Sequence, residues 1–268
     1  MTKTKKTAYE LLLERKFDRD YIPPPDHRTL TIRNKLVGSL SNFVIFSGLP
    51  KTGKTTYISA LMATALHPGD FFQMKLHTPD GRKRIAYFDT ESSKYDHYRT
   101  LERVKYFSCW NNLPDLFDSF TLRQDGHRQI HLFIDAYLKN TPDCSVLIVD
   151  GLLDLISNYN NEDECKELIN FMKRITYEYN ILLIAVLHLG KKDKETLGHL
   201  GSATDRYAQS TLLIEKDKNT QSYNLSSRFM RSDMDFDPVS IQNFNGFWNE
   251  VPYITEPFPI IKPTKKSK

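Results

Sequence analysis

The chain reads as an α/β protein whose central sheet is mostly parallel. Three observations predict this. Continuous apolar strands alternate with helical segments from Asn42 onward; a glycine-rich segment, GLPKTGKT at 48–55, joins one such strand to the next helix; and the run SVLIV at 145–149 leads straight into an acid, Asp150. A strand that is apolar along its whole length is buried on both faces, the condition of a parallel sheet covered by helices on both sides.

The elements follow in order. NFVIFSG (42–48) is a buried strand ending in glycine, and KTTYISALMATALH (54–67) has helical spacing. RIAYFDTE (84–91) is a second strand, YDHYRTLERVKYF (95–107) a second helix, FTLR (120–123) a short strand and HRQIHLFIDAYLKN (127–140) a third helix. CSVLIVDG (144–151) is a strongly apolar strand, and EDECKELINFMKRITYEY (162–179) an amphipathic helix whose first-turn acids suit the helix dipole. ILLIAVLHL (181–189) is another buried strand. After Gly198 the pattern alternates more. STLLIEKD (210–217), SYNLSSRFM (222–230) and VSIQNFNGFW (239–248) are expected as antiparallel strands added at the C-terminal side. Residues 1–40 are polar, with one helical pattern from Tyr9 to Phe17 before Pro23, Pro24 and Pro25 force an extended stretch, so they are expected as an N-terminal arm. The domain is then 41–250, and 251–268 is a Pro- and Lys-rich tail.

Composition narrows the class further. Hydrophobic residues are 40% and charged residues 26% of the 268, an ordinary globular balance. The net charge of +4 is a property of the ends: Lys3, Lys5, Lys6, Lys262, Lys265, Lys266 and Lys268 carry it, and the remainder is −3. Net charge is therefore no argument for a nucleic-acid partner. Three scattered cysteines offer neither a zinc spacing nor a disulfide framework, which suits a reducing, cytoplasmic compartment. The longest apolar run, Ile181–Leu189, is too short to span a bilayer, so no membrane association is expected. The basic start MTKTKK is followed by no apolar stretch of the signal-peptide kind.

The segment Gly48, Leu49, Pro50, Lys51, Thr52, Gly53, Lys54, Thr55 matches GxxxxGK[ST] in full and lies between a strand and a helix, where the chemistry needs it. Glycines let the backbone curl so that successive N–H groups face phosphate oxygens, and the helix N-terminus adds its positive end. Thr56 continues this cradle. Lys54 is expected on the β- and γ-phosphates, and the Thr55 hydroxyl on Mg²⁺. Asp150, at the carboxyl end of a buried strand, is expected to hold the Mg²⁺ through water. Glu91 ends the strand after the loop's helix, where a carboxylate can orient or deprotonate an attacking water. Each of these acids could equally be an ordinary strand-end residue.

Five blocks, GLPKTGKT, YFDTESSKY, SVLIVDGLLDLI, IAVLHLGKKD and GHLGSATDRYAQSTLLIEKD, stand in an order that resembles the RecA-like ATPases over Asn42 to Trp248. The likeness is to the RepA-like and DnaB-helicase-like branch, in particular the AAA ATPases of plasmids and mobilisable bacterial elements. It implies a RecA-like P-loop NTPase with ATP and Mg²⁺ as its ligands and Glu91 as its catalytic carboxylate. It implies Tyr98, or alternatively Tyr95, beside the adenine, and His188 as the γ-phosphate sensor. It implies that the following loop, with Lys191, Lys192 and Lys194, touches single-stranded DNA; lysines there suit sequence-neutral phosphate contacts. It implies a basic finger reaching a neighbour's γ-phosphate, Arg231 in preference to Arg228, which requires a homo-oligomer such as a hexameric ring.

Three functions compete at this point. One is a ring-forming DNA motor, a helicase or translocase of plasmid replication or mobile-element transfer. Another is an ATP-gated DNA-binding or partner-docking switch that does not unwind. The third is a small-molecule P-loop kinase, disfavoured by Glu91 and by the lack of an arginine-rich lid. No GxSxG, HExxH or GxGxxG pattern offers a different chemistry. His67, His77, His97, His127 and His131 are read as dispersed surface or core residues. Asp89 and Asp154 lie near the site in sequence and receive no role.

Overall fold

The computed structural model describes residues 6–22, 28–67, 69, 71–190 and 198–253. A short helix α1 (Ala8–Leu13) precedes strands β1 (Leu30–Ile32), β2 (Lys35–Gly38) and β3 (Asn42–Gly48). Helix α2 (Lys54–Leu66), β4 (Met74–Leu76), β5 (Arg84–Asp89), α3 (Lys94–Ser108), β6 (Phe117–Thr121) and α4 (His127–Asn140) follow. Then come β7 (Cys144–Asp150), a 3₁₀ turn (Leu152–Leu155), α5 (Glu162–Glu178), β8 (Leu182–His188) and α6 (Gly198–Tyr207). Strands β9 (Ser210–Lys216), β10 (Tyr223–Met230), β11 (Val239–Phe244) and β12 (Phe247–Val251) close the described chain.

The main sheet has nine strands in the order β12-β11-β10-β9-β3-β8-β7-β5-β6. From β9 to β6 the pairings are parallel, and β10, β11 and β12 join antiparallel. Alternate side chains of each central strand serve opposite cores. Val44 and Phe46 of β3, Val146 and Ile148 of β7, and Leu182 and Ile184 of β8 pack with α2 and α3. Phe43 and Ile45, Leu147 and Val149, and Leu183 and Ala185 pack with α4 and α5. This two-sided burial is why the sequence shows continuous apolar runs.

Helix termini obey local chemistry. The Asn161 side chain caps α5 by accepting from the Asp163 and Glu164 amides, and Ser93 caps α3 by accepting from Asp96. Helix α1 carries a capping box between Thr7 and Glu10 but buries no residue. It ends at Leu13, short of the Phe17 expected from periodicity, because an isolated helix without packing does not propagate far.

Four expectations need correction. Residues 30–38 belong to the folded body and not to an arm: β1 and β2 form a hairpin, paired with β4 in a second sheet of order β2-β1-β4. Its turn residues Arg33 and Asn34 both have positive φ, 47° and 61°, as tight hairpins require, and Leu30, Ile32 and Val37 join the α2 core. Strand β9 is parallel, not antiparallel, pairing Val44 with Ser210 through Gly48 with Ile214. Helix α6 makes this possible by carrying the chain across, a helix hidden in sequence by Gly198 and Gly201. The run at 239–248 is a hairpin and not one strand, turning at Asn245 and Gly246, both at positive φ. The short strand expected at 120–123 is set three residues earlier, at Phe117–Thr121, by its pairing of Ile85 with Phe117 through Asp89 with Thr121. Of the tail at 251–268, only residues up to 253 are described.

Candidate functional site

Four adjacent parallel strands deliver the site. Gly48 is in register with His188, Asp150 with Val186, and Asp89 with Asp150, so the carboxyl ends of β3, β8, β7 and β5 lie side by side. Ligands of open α/β sheets bind at this edge. A cleft of about 180 Å³ opens there, lined by Lys51, Thr52, Gly53, Lys54, Thr55, Thr56, Glu91, Ser92, Arg103, Asp150 and His188.

The loop's glycines are sterically required. A Cβ on Gly48 would strike the Ile214 carbonyl oxygen, because the loop crosses close over β9. Gly53 has φ +86° and caps α2, and a Cβ there would lie 2.7 Å from the Tyr223 ring. Among the described residues no backbone hydrogen bond uses the amides of Lys51, Thr52, Gly53, Lys54 or Thr55, and the Thr55 hydroxyl has no hydrogen-bond partner. Such a row of free donors at a helix N-terminus is an anion cradle. Leu49 and Pro50 form its rim, and the Leu49 carbonyl accepts from Thr52 Oγ1 at 2.8 Å.

Lys54 is buried, and its Nζ donates to the carbonyls of Gly48 (2.9 Å) and Leu49 (2.8 Å). Burial pushes its ammonium down to about 8, against the pull of Asp150 and Glu91. Asp150 is buried too; burial, then the charges of Glu91 and Asp89, push its carboxyl up to about 7. The two shifts run in opposite directions for one reason: each charge is desolvated in a site that lacks its counter-charge. A phosphate beside Lys54 and a divalent cation beside Thr55 and Asp150 supply those counter-charges, so the donor set fits ATP and Mg²⁺.

Glu91 sits just past β5, partly exposed to the cleft, and His188 Nε2 is 3.0 Å from its carboxylate. Gly151 makes room for it, since a Cβ there would overlap Glu91 Oε1. Behind it, Thr90 Oγ1 donates to Asp154 Oδ2 (2.7 Å) and accepts from the Gly151 amide (2.9 Å), stitching β5 to the turn after β7. Asp89 Oδ1 accepts the amides of Glu91 (3.1 Å) and Ser92 (2.8 Å), and Asp89 Oδ2 meets His97 Nδ1 at 3.0 Å. Burial raises the Asp89 carboxyl, but the bonds from His97 and Ser92 outweigh it and hold the group below the ordinary carboxylate range.

Lys54, Thr55, Glu91, Asp150 and His188 thus share one cleft. Tyr98 does not line it: it is 55% exposed on α3, and Tyr95 is exposed as well. Arg103, two turns along the same helix, does line it. Its guanidinium is desolvated by burial and repelled by Arg99, which lowers its pKa, and no acid among the described residues pairs with it. Sequence reasoning missed Arg103; its only signal was a place on the helix after Glu91. Arg228 pairs with Asp205 at 3.4 Å. Arg231 follows β10 at the end where Met230 pairs with Ser210, the level of Val44, and its amide donates to the Gln209 carbonyl. That is roughly 13 Å along the strands from Gly48 at the usual rise per residue. Neither arginine reaches this chain's own cleft. Lys191, Lys192 and Lys194 lie outside the described residues.

Known proteins give the same picture. No curated protein matches the chain. Among solved structures, the ATPase domain of a DnaB-like helicase superposes with a TM-score of 0.54 at 12% identity, covering 80% of this chain and 87% of that one, which identifies a RecA-like fold. The family described as "AAA domain" matches residues 7–194, well over half of the sequence, and the chain accordingly belongs to the AAA domain family, built as a RecA-like P-loop ATPase.

Proposed function

We propose that this protein is a Mg²⁺-dependent ATP hydrolase acting on DNA, a ring-forming helicase or translocase of plasmid replication or mobile-element transfer that works in the cytoplasm as a homo-oligomer. The observation that carries the reading is the convergence of Lys54, Asp150, Glu91 and His188 at four neighbouring strand ends, with His188 in contact with Glu91. Lys54 and the loop amides bind and orient the β- and γ-phosphates. Thr55 and Asp150 hold the Mg²⁺, which neutralises developing charge on the phosphates. Glu91 aligns a water with the γ-phosphorus and takes its proton. His188, touching Glu91, registers whether the γ-phosphate is present and passes that state into the loop at 190–197. Lys191, Lys192 and Lys194 in that loop would then grip the phosphates of single-stranded DNA according to nucleotide state. Arg231, remote from its own cleft, is the group that a neighbouring subunit's γ-phosphate would meet, and Tyr98 is the aromatic on offer to the base at the outer rim.

The decisive experiment is ATP hydrolysis with and without single-stranded DNA, on the wild type, Glu91→Gln and Lys54→Ala. The reading requires turnover that rises with DNA and is lost in both variants. Turnover indifferent to DNA, in a protein that also fails to bind it, rejects the DNA role. Strong DNA-stimulated turnover without displacement of a forked duplex converts the motor into an ATP-gated switch.

A further inference from the structure

Asp89 and His97 lie outside the cleft, yet they are among the most buried polar side chains of the chain, at 1% and 6% exposure. One oxygen of Asp89 accepts the amides of Glu91 and Ser92, so it clamps the peptide groups from which the Glu91 side chain departs. The other oxygen meets His97 Nδ1. His97 is stacked face to face on Tyr87, with centroids 5.5 Å apart and planes 13° from parallel. The hydroxyl of Tyr87 donates to Asp150 Oδ2 at 3.3 Å. A single buried chain of contacts therefore runs from the Glu91 backbone through Asp89, His97 and Tyr87 to Asp150, and its middle member belongs to α3, the helix that also presents Arg103 to the cleft.

Simple packing does not account for the arrangement. The stack alone would serve packing with a phenylalanine at either position. The geometry instead presents a ring N–H to an oxygen whose partner oxygen is already committed to the turn that aims Glu91. A buried carboxylate with donors on both oxygens cannot rotate; without the His97 donor it is free to turn and drag the Glu91 and Ser92 amides with it.

We infer that His97 is a positioning residue for the Glu91 carboxylate, acting through Asp89, and that with Tyr87 it keeps both acids of the site in fixed register with α3. This rests on Glu91 being the water-orienting acid. His97 touches neither nucleotide nor water, so its removal must slow the chemical step and leave nucleotide affinity alone.

The test uses the full chain, with ATP turnover, affinity for a fluorescent ATP analogue and melting temperature read in parallel. His97→Ala is expected to lower kcat by about 10- to 100-fold, the usual cost of a displaced catalytic group, with KM and analogue affinity within about twofold of wild type. His97→Asn places an amide N–H where Nδ1 stands and is expected to recover most of the rate. His97→Gln places its amide where Nε2 stands, cannot reach Asp89, and is expected to behave like alanine. If His97→Ala does not fold, the Asn and Gln variants make the comparison between them. Wild-type kcat in His97→Gln, equal losses in Asn and Gln, or losses that only follow the folded fraction would overturn the inference. Should wild type and Glu91→Gln turn over ATP alike, the role of Glu91 itself falls and takes this one with it. Normal wild-type turnover, dead Glu91→Gln and unaffected His97 variants reject the positioning role alone.

Discussion

His188 Nε2 lies 3.0 Å from the Glu91 carboxylate, joining the end of β8 to the residue just past β5 across 97 positions of sequence. The ring's other nitrogen, Nδ1, is buried with no partner, so the imidazole is held from one side only and can turn about that contact. A γ-phosphate arriving beside Glu91 competes for the same Nε2. Leu189 and Gly190 follow directly, and Leu189 is tied by its amide to the Gly48 carbonyl of the phosphate loop. His188→Ala is therefore expected to bind ATP normally, to hydrolyse it about tenfold more slowly, and to lose most of its response to single-stranded DNA. Turnover of this variant that DNA still stimulates to the wild-type extent rules out the sensor role.

Asp150 makes the nucleotide-free protein pH-sensitive in a predictable direction. Its folded-state value of about 7 stands above the value near 3.9 of a free aspartate. Between those limits the folded chain holds a proton that the unfolded chain has lost, so this group's contribution to stability falls as pH rises through the window and stays low above it. In EDTA, Asp150→Asn should remove that slope and raise the melting temperature at pH 7.5 by about 5 °C, while abolishing hydrolysis. Mg²⁺-ATP should then stabilise the wild type and fail to stabilise the variant. A variant that melts below wild type at pH 7.5 contradicts the assignment of an unbalanced buried charge.

Arg103 offers a cation at the cleft with no acid to balance it, and burial already disfavours its charge. Triphosphate binding supplies the missing anion. Arg103→Ala is expected to weaken ATP affinity by about tenfold, near 1.4 kcal/mol, without lowering the melting temperature of the free protein. The ratio of ATP to ADP affinity in the same titrations tells which phosphate it meets. Unchanged affinity for both nucleotides would show that Arg103 only fills the wall.

The fold and the centre of the site were legible because they obey local rules. A two-sided strand has to be apolar throughout, and a phosphate loop has to be glycine-rich, so β3, β7 and β8 and residues 48–56 declare themselves. What escaped depends on contacts distant in sequence. The β1–β2 hairpin is short and finds its core only against α2 and β4. Strand β9 looks antiparallel because its solvent-side residues alternate, yet α6 brings it back beside β3. Asp89, two residues before Glu91, looked like a spare acid; its partner His97 sits eight residues on and faces it only once α3 has formed. Tyr98 and Arg103 share that helix, and which of them turns to the cleft is a matter of helical phase that spacing alone did not decide.

Arg231 is the residue whose role depends most on a second copy of the chain. Its position at the Val44 level of the sheet keeps it from the cleft of its own subunit, so a catalytic role demands that it act across an interface. Mixing inactive variants isolates this. In a preparation of Glu91→Gln with Arg231→Ala, an interface that pairs the intact Glu91 of one subunit with the intact Arg231 of the other regains a whole site. If Arg231 acts in trans, mixing restores part of the wild-type turnover, whereas each variant alone is reduced by about 10³-fold or more. Arg231→Ala that is fully active by itself removes it from the reaction. An inactive Arg231→Ala that no mixing rescues places its effect within the subunit, against the ring.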